Sequence, residues 1–192
     1  MPRRDQSTRV WRPTNDELAA AVDKRIRDVI APDLGVLFCG INPGLYSGAV
    51  GHHFARPGNR FWKVLHRAGF TDRELSPFED RELLRYGIGV TNLVNRTTAA
   101  AADLDRAELR DGVRHLERKV RRYRPSCVAF AGMGAYRVAF GRPRAPLGRQ
   151  AETLEGVVIW LLPNPSGAQA AYQLDDLVRA FRALRRAASR AA

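Results

Sequence analysis

Residues 35–44 read Gly-Val-Leu-Phe-Cys-Gly-Ile-Asn-Pro-Gly. The run 35–41 carries no charge, and Asn42-Pro43-Gly44 then breaks it with three turn formers. A short continuous apolar stretch closed by a turn is the pattern of a strand covered on both faces, as parallel sheets require. Three more runs of this kind lie at 88–94, 126–131 and 157–162, and none of the four is joined to another by a hairpin-length turn.

Helical patterns fill the spaces between them. Thr14 and Glu17 have capping-box spacing, and Leu18, Val22, Ile26 and Val29 follow at helical intervals, so a helix is expected over 15–30, stopped by Pro32. Further helices are expected at 60–68, closed by Gly69, at 78–86, and at 134–140. Asp105 and Glu108 open a strong one with Leu109, Val113, Leu116, Val120 and Tyr123 on its apolar face, and Pro125 stops it. Leu174, Leu177, Val178, Phe181 and Leu184 mark the last. Strands alternating with helices predict an α/β fold on a small, mainly parallel four-stranded sheet with helices on both faces. The expected organisation is a basic, loosely docked arm at 1–13, one domain over 14–187 and a frayed tail at 188–192.

The chain has 192 residues, of which 45% are hydrophobic, enough for a core without disulfides or a structural metal. Its 32 basic and 20 acidic residues give +12 at pH 7, so a polyanion is the expected partner, nucleic acid before anionic membrane. A compositional origin stays open, because arginine and alanine dominate and only Lys24, Lys63 and Lys119 are lysines. Cys39 and Cys127 sit in apolar runs and read as core residues, too few for a thiolate cluster. No apolar run reaches the ~20 residues of a membrane span, and no signal-peptide segment follows the basic N-terminus. A cytoplasmic, nucleoid-associated protein with no membrane partner is expected.

In sheets of this kind ligands collect where loops leave the carboxyl ends of the strands, here around 42–59, 95–103, 132–134 and 163–172. No phosphate-cradling Gly-x-x-x-x-Gly-Lys-Ser/Thr is present, and Gly132-Met133-Gly134 reads as a tight strand-to-helix turn. His52 and His53 are adjacent and point apart in an extended loop, which makes a poor shared metal site. Asp103, Asp105, Glu108 and Asp111 read as helix N-terminal acids. What remains is Gly40-Ile41-Asn42-Pro43-Gly44 after the first strand, Asn164-Pro165-Ser166-Gly167 after the fourth, and 51–62, Gly-His-His-Phe-Ala-Arg-Pro-Gly-Asn-Arg-Phe-Trp, between them.

With Gly-Val-Thr-Asn-Leu-Val-Asn-Arg-Thr-Thr at 89–98, these motifs make the chain resemble, from about 30 to 184, the mismatch-specific uracil-DNA glycosylase and thymine-DNA glycosylase branch of the uracil-DNA glycosylase superfamily. The resemblance implies a three-layer α/β/α sandwich. It also implies a monofunctional DNA glycosylase of base excision repair that hydrolyses the N-glycosidic bond of uracil, and of thymine or other modified pyrimidines, mispaired with guanine. The partner is then double-stranded DNA with G·U or G·T mismatches or damaged pyrimidines, the enzyme acts as a monomer, and no metal or organic cofactor is needed. Reaching C1′ of a stacked nucleotide requires flipping it out, at a cost of a few kcal/mol.

Asn42 would be the catalytic residue, orienting a water. A neutral amide is a poor general base, and the efficient uracil-excising branch has aspartate there, so a slow enzyme is implied. By itself Asn42 also reads as a turn-forming residue before Pro43. Ile41 would contribute its backbone N–H to substrate. Gly44 stands where the strict uracil branch has a tyrosine that excludes a C5 methyl, and Ser47 lies near the same edge. Phe54 would stack on the flipped base, Asn164 would donate to the departing base in place of a histidine, and Asn92 would bind the base or support the water. Read alone, Phe54 fits a core position and Asn92 the end of a strand. Pro165, Ser166 and Gly167, with Ala168 and Gln169 at the tip, would contact DNA. The family carries a bulky apolar residue and then arginine at that tip. Ala168-Gln169-Ala170 departs from this, since a wedge needs side-chain volume, and Gln169 or Tyr172 is the available substitute. Asn59 and Arg60 read as helix start and loop anchor, and Phe61 and Trp62 as core. Arg56, Arg60, Arg96, Arg142, Arg144 and Arg149 are candidates for phosphate. The alternative to a glycosylase is a DNA-binding module that recognises lesions with little or no excision; a basic α/β enzyme acting on nucleotides or RNA is a third reading.

Overall fold

Three of the apolar runs become the middle of a five-stranded sheet. In the computed structural model, which describes residues 12–167 and 171–189, the strands are β1 (Val36–Gly40), β2 (Ile88–Asn92), β3 (Cys127–Ala131), β4 (Gly148–Leu154) and β5 (Val157–Leu162). Their order is β2-β1-β3-β5-β4. β2, β1, β3 and β5 run parallel, and β4 joins antiparallel to β5. Every residue of β1, β2 and β3 is buried, as a sheet with helices on both faces demands.

Two separate cores make the layers. On one face Val36, Phe38 and Ala129 pack with α3 (Phe61–Ala68), α6 (Leu174–Ala188) and a 3-10 segment, Pro77–Tyr86. On the other, Leu37, Cys39, Val128 and Phe130 pack with α4 (Arg106–Tyr123) and α5 (Met133–Ala139). The fold is therefore an α/β/α sandwich.

The sheet has five strands where four were expected. β4 is a polar edge strand with alternating exposure, so it lacks the continuous apolar signature of its neighbours. It reaches β5 through Glu155 and Gly156, both with positive φ, the backbone that favours tight hairpins. The N-terminal helix is also shorter than expected. α1 spans Asn15–Ala19 behind the Thr14/Glu17 capping box, and the chain then turns through Asp23 at φ 60°. Residues 25–29 run extended instead, with Arg25 bridging to Arg96 and Val29 to Val90. The free edge of β2 offers backbone partners there, and Val22 is left 52% exposed. A short helix, α2 (Leu45–Val50), occupies part of the expected loop 42–59. The helix expected at 78–86 is a 3-10 segment that starts at Pro77.

Parallel pairing brings Gly40 level with Asn92, and Ala131 level with Leu162. The four loops that leave these carboxyl ends accordingly meet at one edge of the sheet. Of the expected arm and tail, residues 1–11 and 190–192 lie outside the described residues, as do Ala168, Gln169 and Ala170 of the 163–172 loop.

Candidate active site

A cleft of about 560 Å³ opens where those loops meet. Ile41, Asn42, Gly44, Ser47, Phe54, Asn92, Asn164 and Ser166 all line it. Among the described residues no aspartate or glutamate does, and Arg56 is the one arginine or lysine. Four asparagines line it, Asn42, Asn59, Asn92 and Asn164. Asn59 Oδ1 accepts the Phe61 N–H at the start of α3, and the protein around the other three decides which end of each amide faces inward.

Asn42 follows β1. Its Nδ2 donates to the backbone oxygens of Pro43 and Arg96, each at 3.2 Å, and to Thr98 Oγ1 at 2.7 Å. A carbonyl oxygen can only accept, so the NH2 end must point at this cage. Thr98, 4% exposed, passes its own hydrogen to Ala100 O at 2.6 Å, which leaves its oxygen free to accept. Oδ1 of Asn42 has no donor among the described residues and is the acceptor it offers to the cleft.

Asn164 follows β5 and is fixed the other way round. Its Oδ1 accepts the N–H of Ser166 at 2.9 Å in a side-chain turn. Nδ2 is left as a donor, above Gly132. Gly132 itself sits at φ 134°, outside the range of L side chains, and a Cβ there would lie 3.7 Å from that Nδ2. The cleft thus carries one anchored acceptor amide and one anchored donor amide.

Asn92 ends β2, only 5% exposed. Its Nδ2 donates to His53 Nδ1 at 3.3 Å, while His53 Nε2 must carry the proton it gives to Arg27 O at 3.0 Å. This pair of contacts is satisfied only by a neutral imidazole. Burial, at 1% exposure, pushes the His53 pKa down and favours that form, against weaker upward effects from the Arg27 carbonyl and nearby carboxylates. Oδ1 of Asn92 faces Gly40, where an added Cβ would lie 2.5 Å from it and 3.4 Å from Phe54 Cζ. Gly40 is therefore required to keep this amide in place.

Phe54 adopts φ 52°, unusual for a side-chain-bearing residue. Ser47 Oγ, buried, accepts the N–H of Ala55 at 3.1 Å and holds this turn. The Phe54 ring stacks on Phe61 at 4.0 Å between centroids and 21° between planes, so a core aromatic backs the ring at the cleft wall. No heavy atom lies within 4 Å of where a Cβ on Gly44 would stand, which leaves open space at that wall.

The two histidines part company as expected. His52 Nδ1 meets Asp80 at 3.0 Å, while His53 turns inward. Among the described residues no group of three or more His, Cys, Asp or Glu is placed to hold a metal. Burial raises the thiols of Cys39 and Cys127 to about 12. Two of the phosphate candidates are committed within the protein. Arg96 pairs with Glu108 at 2.5 Å and with Asp23 at 3.1 Å, and Arg60 is bound to the 163–172 loop. Glu108, held well below the usual carboxylate range at about 2 by Arg96, also caps α4. Pro165 and Gly167, expected at the DNA, are not among the residues that line the cleft. Ala168 and Gln169 lie outside the described residues. The sequence places Gly40 and Thr98 inside motifs without giving either a role, and offers His53 only as a poor metal ligand.

A family model described as uracil DNA glycosylase superfamily matches residues 27–185 of this chain. The chain belongs to the uracil DNA glycosylase superfamily. A solution NMR structure of a candidate uracil DNA glycosylase from Methanosarcina acetivorans superposes with a TM-score of 0.58 over 85% of this chain and 99% of that one. At 18% identity that likeness is one of fold. Membership in the superfamily supports a DNA glycosylase activity, and the matched segment holds every described residue that lines the cleft except Leu18 and Ile26. No described helix is long and apolar enough to cross a membrane.

Proposed function

We propose that this protein is a monofunctional DNA glycosylase of the mismatch-specific and thymine-DNA glycosylase type. It removes uracil, and pyrimidines substituted at C5, from positions opposite guanine in duplex DNA, acting as a monomer without metal or cofactor. The observation that carries this reading is the pairing of an acceptor-out Asn42 with a donor-out Asn164 in a cleft to which no described residue contributes a carboxylate.

Hydrolysis of the C1′–N1 bond sends its electron pair onto the departing base and leaves positive charge on the sugar. The water oxygen bonds to C1′, and its surplus proton goes to solvent. The products are the free base and an abasic deoxyribose. Oδ1 of Asn42 accepts one water hydrogen and turns a lone pair toward C1′. It does not remove the proton, because an amide is not a base of useful strength, and slow turnover follows. Nδ2 of Asn164 donates to the base oxygen on which negative charge collects. Phe54, backed by Phe61, provides the stacking platform, worth ~1–3 kcal/mol per base. Asn92 reads the edge of the base, and the space above Gly44 admits a C5 substituent. Ile41 lines the cleft beside them, and the 163–172 loop enters the duplex where the nucleotide has left.

Labelled duplexes with G·U, G·T or ethenocytosine pairs, incubated with stoichiometric enzyme and then treated with alkali, test the proposal. Strand scission at the lesion is expected, with G·U fastest. Lesion-selective binding without scission would instead establish a recognition module.

A further inference from the structure

We propose that Arg60 is a positioning residue that clasps the neck of the loop entering the duplex; this rests on the glycosylase reading. The loop leaves β5 at residue 163 and returns to α6 after Tyr172. A single guanidinium holds both of its stems. Nε donates to Pro165 O at 3.3 Å and Nη2 to Ser166 O at 3.0 Å on the outgoing stem, and Nη1 donates to Tyr172 O at 2.6 Å on the returning one. The backbone N–H of Arg60 adds a further bond to Pro165 O at 3.0 Å.

Guanidinium is a planar fork of fixed donors, so one rigid group sets the spacing of the two stems. A lysine ammonium is a point donor on a flexible stem and does not reproduce that geometry. Arg60 is itself well anchored. It caps α3, whose first residues Phe61 and Trp62 are buried in the core, and Asn59 Oδ1 accepts the Phe61 N–H at 3.0 Å. The loop neck also rests on the neighbouring backbone, because a Cβ on Gly167 would lie 2.5 Å from Gly58 O. Gly58, Arg60 and Phe61 belong to the same stretch as Phe54. The clasp thereby ties the element that fills the hole in the duplex to the ring that receives the base.

The tip chemistry gives this weight. Ala168-Gln169-Ala170 supplies little side-chain volume, so filling the vacated space depends on where the loop backbone is held more than on a bulky wedge. An arginine that presets the neck lowers the ordering cost at the moment of insertion.

The test compares wild type with Arg60→Met and Arg60→Lys on two substrates of one sequence. One has uracil opposite guanine in a duplex, and the other has the same uracil in an unpaired bubble where no stack has to be opened. Arg60→Met should slow single-turnover excision about tenfold or more in the duplex and less than about threefold in the bubble, with Arg60→Lys in between. Equal losses on both substrates, or a wild-type rate in the duplex, would overturn the proposal. If wild type excises from neither substrate, the glycosylase reading has failed, and the clasp is judged by proteolysis. Proteinase K should then cut Arg60→Met within 163–172 at least about tenfold faster than wild type, with unchanged cleavage elsewhere. Equal protection of that segment would refute the clasp independently of any activity.

Discussion

Thr98→Val is nearly isosteric and removes one oxygen. That oxygen accepts from Asn42 Nδ2 at 2.7 Å and donates to Ala100 O at 2.6 Å, in a side chain only 4% exposed. Two neutral hydrogen bonds at about 0.5–1.5 kcal/mol net each predict a stability loss of about 1–3 kcal/mol. The catalytic effect comes through Asn42. Its amide keeps the longer bonds to Pro43 O and Arg96 O and loses the shortest of the three. If about 1.4 kcal/mol of its preference for the acceptor-out pose goes with that bond, single-turnover excision slows about tenfold. Substrate affinity should hardly move, since on the proposed mechanism Thr98 orients the amide that holds the water and does not grip the base. Thr98→Ser keeps the hydroxyl and should restore most of the rate. The assay is single-turnover excision of uracil from a G·U duplex, alongside thermal melting. A wild-type rate in Thr98→Val, or a Thr98→Ser variant as slow as Thr98→Val, would refute the idea that Thr98 fixes the direction of Asn42.

Three further outcomes are expected. Gly44→Tyr should suppress excision of C5-substituted bases more than that of uracil, because it fills space that is open above Gly44, and a ratio of rates on G·T and G·U duplexes reads this directly. Gly40→Ala places a methyl 2.5 Å from Asn92 Oδ1, so it should displace that amide and weaken binding of a non-cleavable uracil analogue while the sheet stays folded by circular dichroism. His53 is buried with its pKa below the ordinary value of about 6.5, so the unfolded chain takes up a proton where the folded one does not. Its contribution to stability is complete above pH 6.5 and is lost as pH falls below it; melting temperatures between pH 7.5 and 5.5 should drop less steeply in His53→Gln than in wild type.

The readability of this chain varied with how local the deciding physics was. β1 and β3 announce themselves because burial on both faces excludes polar residues along their whole length, and β5, though partly exposed at Val157, Val158 and Trp160, is apolar throughout. β4 was invisible by the same criterion, since one of its faces is wet. Leu18, Val22, Ile26 and Val29 have helical spacing, yet the open edge of β2 claims the second half of that stretch as an extended segment. A periodic pattern records which residues are apolar, and the available backbone partner decides the conformation. α2 is six residues long and buries Ser47 and Gly48, so its buried face carries no apolar signal.

The site divides in the same way. Residue types in the 40–44 and 164–167 motifs were legible, and they do meet in one cleft. The direction of each amide was not. Asn42 is oriented by Arg96 and Thr98, 54 and 56 positions along the chain, and Asn92 by His53, 39 positions away. Arg60 could be read as an anchor, but its carbonyl partners lie more than 100 positions away, across the loop it holds.

The most direct test of a hydrolytic Asn42 is single-turnover excision from a G·U duplex by wild type and Asn42→Ala, with binding to the same duplex measured in parallel. Wild type should generate an alkali-labile abasic site, and Asn42→Ala should bind comparably while its rate falls by roughly 10²-fold or more. Scission by Asn42→Ala at the wild-type rate would contradict the role given to this amide, and the absence of any abasic product from wild type would contradict the enzyme itself.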